Sequence, residues 1–234
     1  MQRSGFNYQN DVLIQLGDIV DGYEQTYECV EELLKIKNLI AIKGNHDDWF
    51  ESFLQTDFHP GYWNYGGKAT ITSYLEHACK PVVCFPSASG YKTSLNSSDI
   101  PAGHRQFFNS QKLYYIDDEQ RCFVHGGFNR SIPFDQQAQS MYYWDRDLWT
   151  DAIAHQDQGL APENFEMDTQ FKDIFIGHSA TTNWGTDLPM TVMNITNLDT
   201  GAGHTGRLTI MDVNSRQFWQ SDPVMELYDM DSRD

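Results

Sequence analysis

Residues 12–21, VLIQLGDIVD, decide the fold of this chain. The apolar run over residues 12–16 is typical of a buried parallel strand, and a glycine and an aspartate follow it directly. The same pattern returns in residues 39–47, where LIAI is followed by KGNHD. Between the two, residues 24–37 carry apolar side chains at helical spacing, with charged side chains on the opposite face. The stretch therefore predicts a β-α-β unit with a polar loop after each strand.

Two more polar loops follow apolar runs later in the chain. His125, in the motif HGG, comes after residues 121–124, and His178, in the motif GHS, comes after residues 174–176. Small residues in such loops let the backbone approach a metal ion or a phosphate closely. Strand ends carry the chemistry of α/β folds, and oxygen and imidazole ligands from several strand ends are what a di-metal hydrolase needs.

The rest of the chain is expected to complete one domain over residues 1–234. Residues 57–111 are rich in Pro, Gly and aromatic residues, which favours an insertion with helical pieces that covers the site. A hairpin is expected over residues 113–124 and a helix over residues 140–150. A second sheet is expected from three strand-like runs, at residues 190–194, 207–213 and 217–220.

Composition excludes several classes of protein. Hydrophobic residues make up 40% of the 234 residues and the net charge is −17, which indicates an acidic globular protein. Nucleic acid and anionic membranes would repel such a chain, so neither is expected as a partner. No apolar run is long enough to span a membrane and no signal segment follows Met1, so a cytoplasmic protein is expected. The four cysteines form no C-x-x-C pair and are expected to be buried thiols.

The motif series G-D-x-x-D, G-N-H-D, H-G-G and G-H-S resembles that of the calcineurin-like metallophosphoesterases. Within that family it is most similar to the bacterial and phage-type serine/threonine protein phosphatases. The resemblance implies an α/β fold, a two-sheet αββα sandwich of mixed sheets flanked by helices. It also implies a metal-dependent phosphoric monoester hydrolase that uses a metal-activated hydroxide. The expected substrate is a phosphorylated protein or a small phosphomonoester.

The resemblance assigns roles to individual residues. It implies two divalent metal ions, Mn²⁺ in the first place, with Fe and Zn as alternatives. The implied metal ligands, the first of which bridges both ions, are Asp18, Asn45, His125 and His178. The implied catalytic residues are His46, which protonates the leaving oxygen, and Asp21, which orients His46. The implied phosphate-binding residues are Arg146 and Asn45.

The chain departs from the family pattern at two places. The motif D-x-H-G is not found upstream of Asp18, so the first metal would lack two protein ligands. The first strand and helix of the fold are therefore expected to be missing, and a late start of the sequence is the favoured explanation. Gly22 occupies the position where the family has an arginine. Lys43 and Lys68 are candidates to replace that arginine, although each is expected to be a surface lysine.

Two other functions stay open at this stage. One is a nucleotide or dinucleoside-polyphosphate hydrolase, in which aromatic residues of the insertion would stack on a base. Those residues are Tyr62, Trp63, Tyr65 and Tyr74, and most of them are expected to form the insertion's own core. The other is a non-catalytic phosphate-binding protein, which the incomplete first metal site and Gly22 favour.

Overall fold

The structure is a computed structural model, and it describes residues 1–59, 63, 65–87 and 90–228. The α-helices among them are α1 (Thr26–Leu33), α2 (Asn45–Thr56), α3 (Gly67–His77), α4 (Ala102–Asn109), α5 (Met141–Trp144), α6 (Asp147–Asp157) and α7 (Pro162–Thr169). The strands are β1 (Val12–Gln15), β2 (Asn38–Ala41), β3 (Cys84–Ser87), β4 (Gly90–Thr93), β5 (Tyr114–Ile116), β6 (Arg121–Val124), β7 (Asp173–Ile176), β8 (Met190–Val192), β9 (Ile195–Asn197), β10 (Thr209–Met211) and β11 (Phe218–Gln220).

The strands form two sheets that carry the site and two separate hairpins. β1 pairs in parallel with β2, and α1 connects them, so the predicted β-α-β unit is present. The larger sheet has the order β5-β6-β7-β9-β8, in which β6, β7 and β9 are parallel and the outer strands are antiparallel. A bridge between Ile42 and Lys112 joins the end of β2 to the segment before β5. The predicted mixed α/β fold with sheets flanked by helices is confirmed.

The prediction that the strands after residue 190 form a separate second sheet was wrong. β8 and β9 belong to the five-stranded sheet, because β9 pairs in parallel with β7 and β8 folds back on β9. Of the strands that follow β7, β10 and β11 lie outside that sheet and pair with each other. The hydrophobic pattern of a segment can identify it as a strand, but it does not determine which sheet the strand joins.

The helix expected over residues 140–150 is broken in two. The backbone of Asp145 is extended, and its Oδ2 accepts a hydrogen bond from the backbone N of Leu148 at 3.0 Å. This carboxylate stabilises the first turn of α6, which then runs on to Asp157. The break places Arg146 at the junction of α5 and α6 instead of on a helix face. α7, which begins with Pro162, was not predicted.

Two apolar cores surround the sheets. One lies between β1–β2 and helices α1 to α4, with Phe50 and Trp63 fully buried in it. The other lies between the larger sheet and helices α6 and α7. Two of the aromatic residues in the segment 57–111, Trp63 and Tyr74, are buried in the first core, as was expected for most of them. Tyr65 is exposed, and Tyr62 lies outside the described residues. The single domain and the covering insertion stay predictions.

The surface differs from expectation at the cysteines. Cys122 is buried, whereas Cys29 and Cys79 are exposed, so the expectation of buried thiols was wrong for these two. No helix in the described part of the chain has both the length and the apolar character to cross a membrane.

Candidate active site

Four loops bring the predicted metal ligands together at one edge of the sheets. One ligand atom from each of Asp18, His125 and His178 lies within 4.8 Å of the other two. His125 Nε2 lies 3.2 Å from Asp18 Oδ2 and 3.3 Å from Asn45 Oδ1. The loops after β1, β2, β6 and β7 thus contribute one carboxylate, one amide and two imidazoles to a single cluster.

Glycine is required at two positions for this close approach. Gly17 has φ +93°, and a Cβ added there would lie 2.5 Å from His125 Nδ1. A Cβ added to Gly44 would lie 2.0 Å from Asp18 Oδ1. Asp18 and His178 themselves have φ values of 56° and 64°, in the left-handed region that side chains other than glycine rarely adopt. Backbone strain of this kind concentrates at functional sites.

His125 is held in the orientation of a metal ligand. Its Nδ1 donates a hydrogen bond to the carbonyl oxygen of Leu16 at 2.6 Å. The neutral ring therefore carries its lone pair on Nε2, which faces the oxygens of Asp18 and Asn45. A lone pair directed at two oxygen acceptors is repulsive unless a cation or a proton lies between them. A backbone carbonyl that fixes the imidazole tautomer in this way is a common outer partner of metal-bound histidine.

The environment of His178 is the strongest indication of a cation site. Its Nε2 is buried, and among the described residues it has no hydrogen-bond partner. Burial and the nearby positive charges of His125 and Arg146 lower the pKa of His178 to about 3. The ring is therefore neutral at pH 7, and its lone pair is available. Two imidazoles, a carboxylate and an amide oxygen form a donor set that suits Mn²⁺, Fe or Zn²⁺ better than Ca²⁺.

Asp18 is ionised despite its surroundings. Burial by itself would raise the pKa of Asp18, but the charge and hydrogen bond of His125 hold it well below its usual range. The second oxygen, Oδ1, accepts a hydrogen bond from the backbone N of His46 at 3.1 Å. One carboxylate oxygen thus faces the imidazoles while the other contacts the start of α2.

The second group of site residues is the pair His46 and Asp21. His46 Nδ1 donates to Asp21 Oδ2 at 2.7 Å, which leaves Nε2 as the nitrogen free to exchange a proton with a substrate. The Asp21 side chain is only 3% exposed, and it also accepts hydrogen bonds from Thr70 Oγ1 at 2.7 Å and Trp63 Nε1 at 3.0 Å. Burial raises the pKa of Asp21 in spite of these donors.

The pKa of His46 is raised above its usual value. Burial opposes the charged ring, but the hydrogen bond to Asp21 and the charge of Asp18 outweigh burial. An imidazole that holds its proton near pH 7 suits a general acid. The side chain of His46 is 24% exposed, so the ring can reach a bound substrate.

Asp47 holds the two loops of the β-α-β unit together, and sequence reasoning did not single it out. Its carboxylate accepts hydrogen bonds from the backbone N of Asp18 and Ile19, each at 2.9 Å, and of Gly44 at 3.0 Å. Gln111 Nε2 donates to the same carboxylate at 2.9 Å. An acidic residue at the third position of a helix is a capping signal, and that signal could have identified Asp47.

Arg146 lies beside the His178 loop. Its Nη1 donates to the carbonyl oxygen of His178 at 2.6 Å and to Ser179 Oγ at 3.0 Å. The residue is exposed, so its remaining N–H groups face solvent next to the metal cluster. Lys43 forms a half-buried ion pair with Glu51, contrary to the expected surface position, and Lys68 is exposed as expected.

Comparison with known proteins gives a consistent picture of the fold. The model of a family described as calcineurin-like phosphoesterase matches residues 1–205. No curated protein matches the chain. Similar solved structures include "a putative diadenosine tetraphosphatase", with TM-score 0.55 and 12% identity over 90% of this chain and 80% of that chain.

Two further solved structures are similar. A metallophosphoesterase from Sphaerobacter thermophilus has TM-score 0.52 and 15% identity over 95% of this chain and 81% of that chain. A "cold-active protein tyrosine phosphatase" has TM-score 0.53 and 12% identity over 94% of this chain and 70% of that chain. At these identities the likeness concerns the fold, and substrate class does not follow from it.

Proposed function

The chain belongs to the calcineurin-like phosphoesterase family, and on that premise we propose that it hydrolyses phosphoric monoesters with the loop cluster described above. One observation carries the proposal. The buried, unpartnered Nε2 of His178 lies in a cluster with Asp18 and His125, and Asp18 contacts the backbone of His46. A candidate cation site and a candidate proton donor are therefore adjacent.

The residues divide the chemistry between them. Asp18, Asn45, His125 and His178 would hold a divalent cation, which supplies positive charge to the phosphoryl oxygens and lowers the pKa of a water molecule. Arg146, anchored on the His178 loop, would direct its free N–H groups at the phosphoryl oxygens. Anchoring the guanidinium before substrate binds reduces the reorganisation that binding requires.

His46 would supply the proton for the leaving oxygen. In hydrolysis the oxygen of a water molecule bonds to phosphorus as the bond between phosphorus and the ester oxygen breaks. The ester oxygen would then depart as an alkoxide, and a proton transferred from His46 Nε2 would make it a neutral alcohol. Asp21, held by Thr70 and Trp63, fixes the ring and favours its charged form before transfer. A chain that only binds phosphate has no need for such a pair, which argues against the non-catalytic alternative.

The finer assignments form part of the proposal. Two divalent metal ions, with Mn²⁺ preferred, would be bound at the site, and Asp18, Asn45, His125 and His178 would be the ligands that this chain contributes. The substrate would be a phosphorylated protein, as for serine/threonine phosphatases, or a small phosphomonoester. The net charge of −17 supports a protein that binds neither nucleic acid nor anionic membranes. A cytoplasmic location is also part of the proposal.

The test is Mn²⁺-dependent hydrolysis of p-nitrophenyl phosphate by this chain. Asp18→Asn is the matched control, because it keeps the shape of the side chain and removes its charge. We expect release of p-nitrophenol that requires Mn²⁺ and is lost in Asp18→Asn. Hydrolysis that is equal with and without Mn²⁺, or equal in the two proteins, contradicts the proposal.

A further inference from the structure

Three aromatic rings form a continuous row beside the site. The rings of Tyr65 and Trp49 have centroids 6.4 Å apart, and those of Trp49 and Trp144 lie 5.6 Å apart. The row touches both functional groups. Trp49 packs edge-on against His46 at 4.7 Å, and Trp144 packs edge-on against His178 at 5.8 Å. The row therefore connects the candidate proton donor with a candidate metal ligand.

Two of the three rings in the row are exposed to solvent, in contrast to the buried aromatic residues of the core. Trp49 at its base is 9% exposed, whereas Trp144 is 43% exposed and Tyr65 is 74% exposed. A single exposed aromatic residue is ordinary, but adjoining exposed rings around a polar site mark a surface for ligands. The rings come from three separate segments, namely α2, the end of α5 and residues 57–111.

We propose that Trp144 and Tyr65 bind a planar aromatic group in the leaving part of the substrate. This inference rests on the proposed function, because His46 meets the leaving oxygen there and the row begins at the ring next to His46. The group attached to that oxygen therefore lies against the row. Offset and edge-on contacts between rings favour an aromatic group over a saturated group of equal size.

The inference narrows the substrate class. Phosphoserine and phosphothreonine carry no ring next to the ester, so the row favours an aromatic phosphomonoester over these two. Two sources provide the shared chemistry, a benzyl-type ring or a nucleobase. Either would contact Trp144 and Tyr65 from solvent, since these two rings carry most of the exposed area of the row.

The first test measures binding and requires no hydrolysis. Benzylphosphonate and cyclohexylmethylphosphonate, which carry a planar aromatic ring and a saturated six-membered ring of similar size, are titrated into the Mn²⁺-loaded chain by calorimetry. We expect the benzyl compound to bind about three- to tenfold more tightly, the range typical of ring pairs. Trp144→Ala and Tyr65→Ala should each reduce that preference, and Trp144→Phe should keep it. Equal affinities in the wild-type chain, or a preference unchanged in Trp144→Ala, overturn the inference.

Two controls exclude a general effect of losing an aromatic side chain. Phe218→Ala removes an exposed ring of β11, and the preference should be unchanged there. The Mn²⁺ affinity of Trp144→Ala should equal that of the wild type, because its ring contacts His178 but contributes no ligand atom. A loss of preference in Phe218→Ala equal to that in Trp144→Ala contradicts a specific role of the row.

The second test distinguishes a nucleobase from a benzyl-type ring. It also separates failure of the proposed hydrolysis from failure of the proposed aromatic binding surface. The KM values for adenosine 5′-monophosphate and ribose 5-phosphate are compared, and likewise those for benzyl phosphate and cyclohexylmethyl phosphate. If the KM is lower for the aromatic ester in only one of the two pairs, that pair identifies the ring as a nucleobase or a benzyl-type ring. The inference is supported if this difference in KM disappears in Trp144→Ala. The absence of a preference in both pairs overturns it. If no ester is hydrolysed but benzylphosphonate still binds preferentially, the proposed function fails and the aromatic binding surface stands.

Discussion

The two halves of the site differ in how their polar atoms are satisfied. In the proton-donor half, the Asp21 carboxylate receives hydrogen bonds from His46, Thr70 and Trp63, all supplied by the chain itself. In the metal half, His125 Nε2 faces the oxygens of Asp18 and Asn45, and His178 Nε2 has no partner among the described residues. The donors of the proton-donor half all come from the chain, whereas in the metal half His125 Nε2 can donate to Asp18 only when the ring is charged, and, against the effect of burial, Asp18 raises the pKa of that ring.

This difference indicates which half would be stabilised by a bound ion. Buried acceptors without donors are costly, and a divalent cation satisfies all of them at once. The proton-donor half needs no such partner, so its geometry should persist without metal. Variants in the metal half should therefore change metal affinity, whereas variants in the proton-donor half should change turnover alone.

The largest effect is expected from His125→Ala, which removes an imidazole from the metal half. We expect more than a thousandfold loss of Mn²⁺-dependent p-nitrophenyl phosphate hydrolysis, because a direct ligand matters more than outer-shell partners, whose loss costs about 10–100-fold. Circular dichroism should show a folded protein, since the residue lies at a strand end. Activity within tenfold of the wild type would show that the metal half does not carry the reaction.

His46→Asn should impair the proton-donor half without changing the metal half. We expect turnover to fall by about a hundredfold, the lower end of the contribution of general acid catalysis. Mn²⁺ affinity should not change, because the backbone N of His46, which donates to Asp18, is retained. Full turnover on an alkyl phosphate, whose leaving group requires a proton, would disprove the general-acid assignment.

Asp47→Asn tests the residue that joins the two halves. An amide offers one acceptor oxygen and directs N–H donors at backbone N–H groups that now donate to Asp47. We expect the free energy of unfolding to fall by about 2–3 kcal/mol, as for buried hydrogen-bonded groups left unsatisfied. Urea denaturation measures this change, and a loss below about 0.5 kcal/mol, the range of a neutral surface substitution, would mean that Asp47 does not fix the loops.

The smallest effect is expected from Thr70→Val. Valine keeps the shape of the buried threonine and removes the hydroxyl that donates to Asp21 Oδ1 and accepts from the backbone N of Asp21. We expect turnover to fall by about three- to tenfold, the equivalent of about one hydrogen bond. Mn²⁺ affinity, measured on the same preparation, should be unchanged, and a weakened affinity would show that the halves are not independent.

The loops of the site could be predicted from the sequence because each follows a local pattern. In each of the four loops an apolar run is followed within two residues by glycine and a polar side chain, and such patterns depend on neighbouring residues alone. The same holds for the β-α-β unit. The break between α5 and α6 was not predicted, although Asp145, whose carboxylate accepts a hydrogen bond from the backbone N of Leu148, is a residue type that favours the start of a helix.

The supports of the site could not be predicted in this way. Trp63 and Thr70 contact Asp21 from 42 and 49 residues away, and no local pattern links positions so distant. Gln111 reaches Asp47 from 64 residues away. The exposure of Trp144 and Tyr65 likewise follows from packing between segments. Sequence patterns therefore identified the candidate residues that the structure brings together, while tertiary packing determines what holds them and what lies beside them.

The most direct test of the metal half is a calorimetric titration of the metal-free chain with Mn²⁺, repeated with His178→Ala and His46→Asn. We expect the wild-type chain to bind Mn²⁺ and His178→Ala to bind it at least tenfold more weakly, because a direct ligand is lost. His46→Asn should bind Mn²⁺ as the wild type does. Equal Mn²⁺ affinity in His178→Ala and the wild type, or no binding by the wild-type chain, would contradict the account.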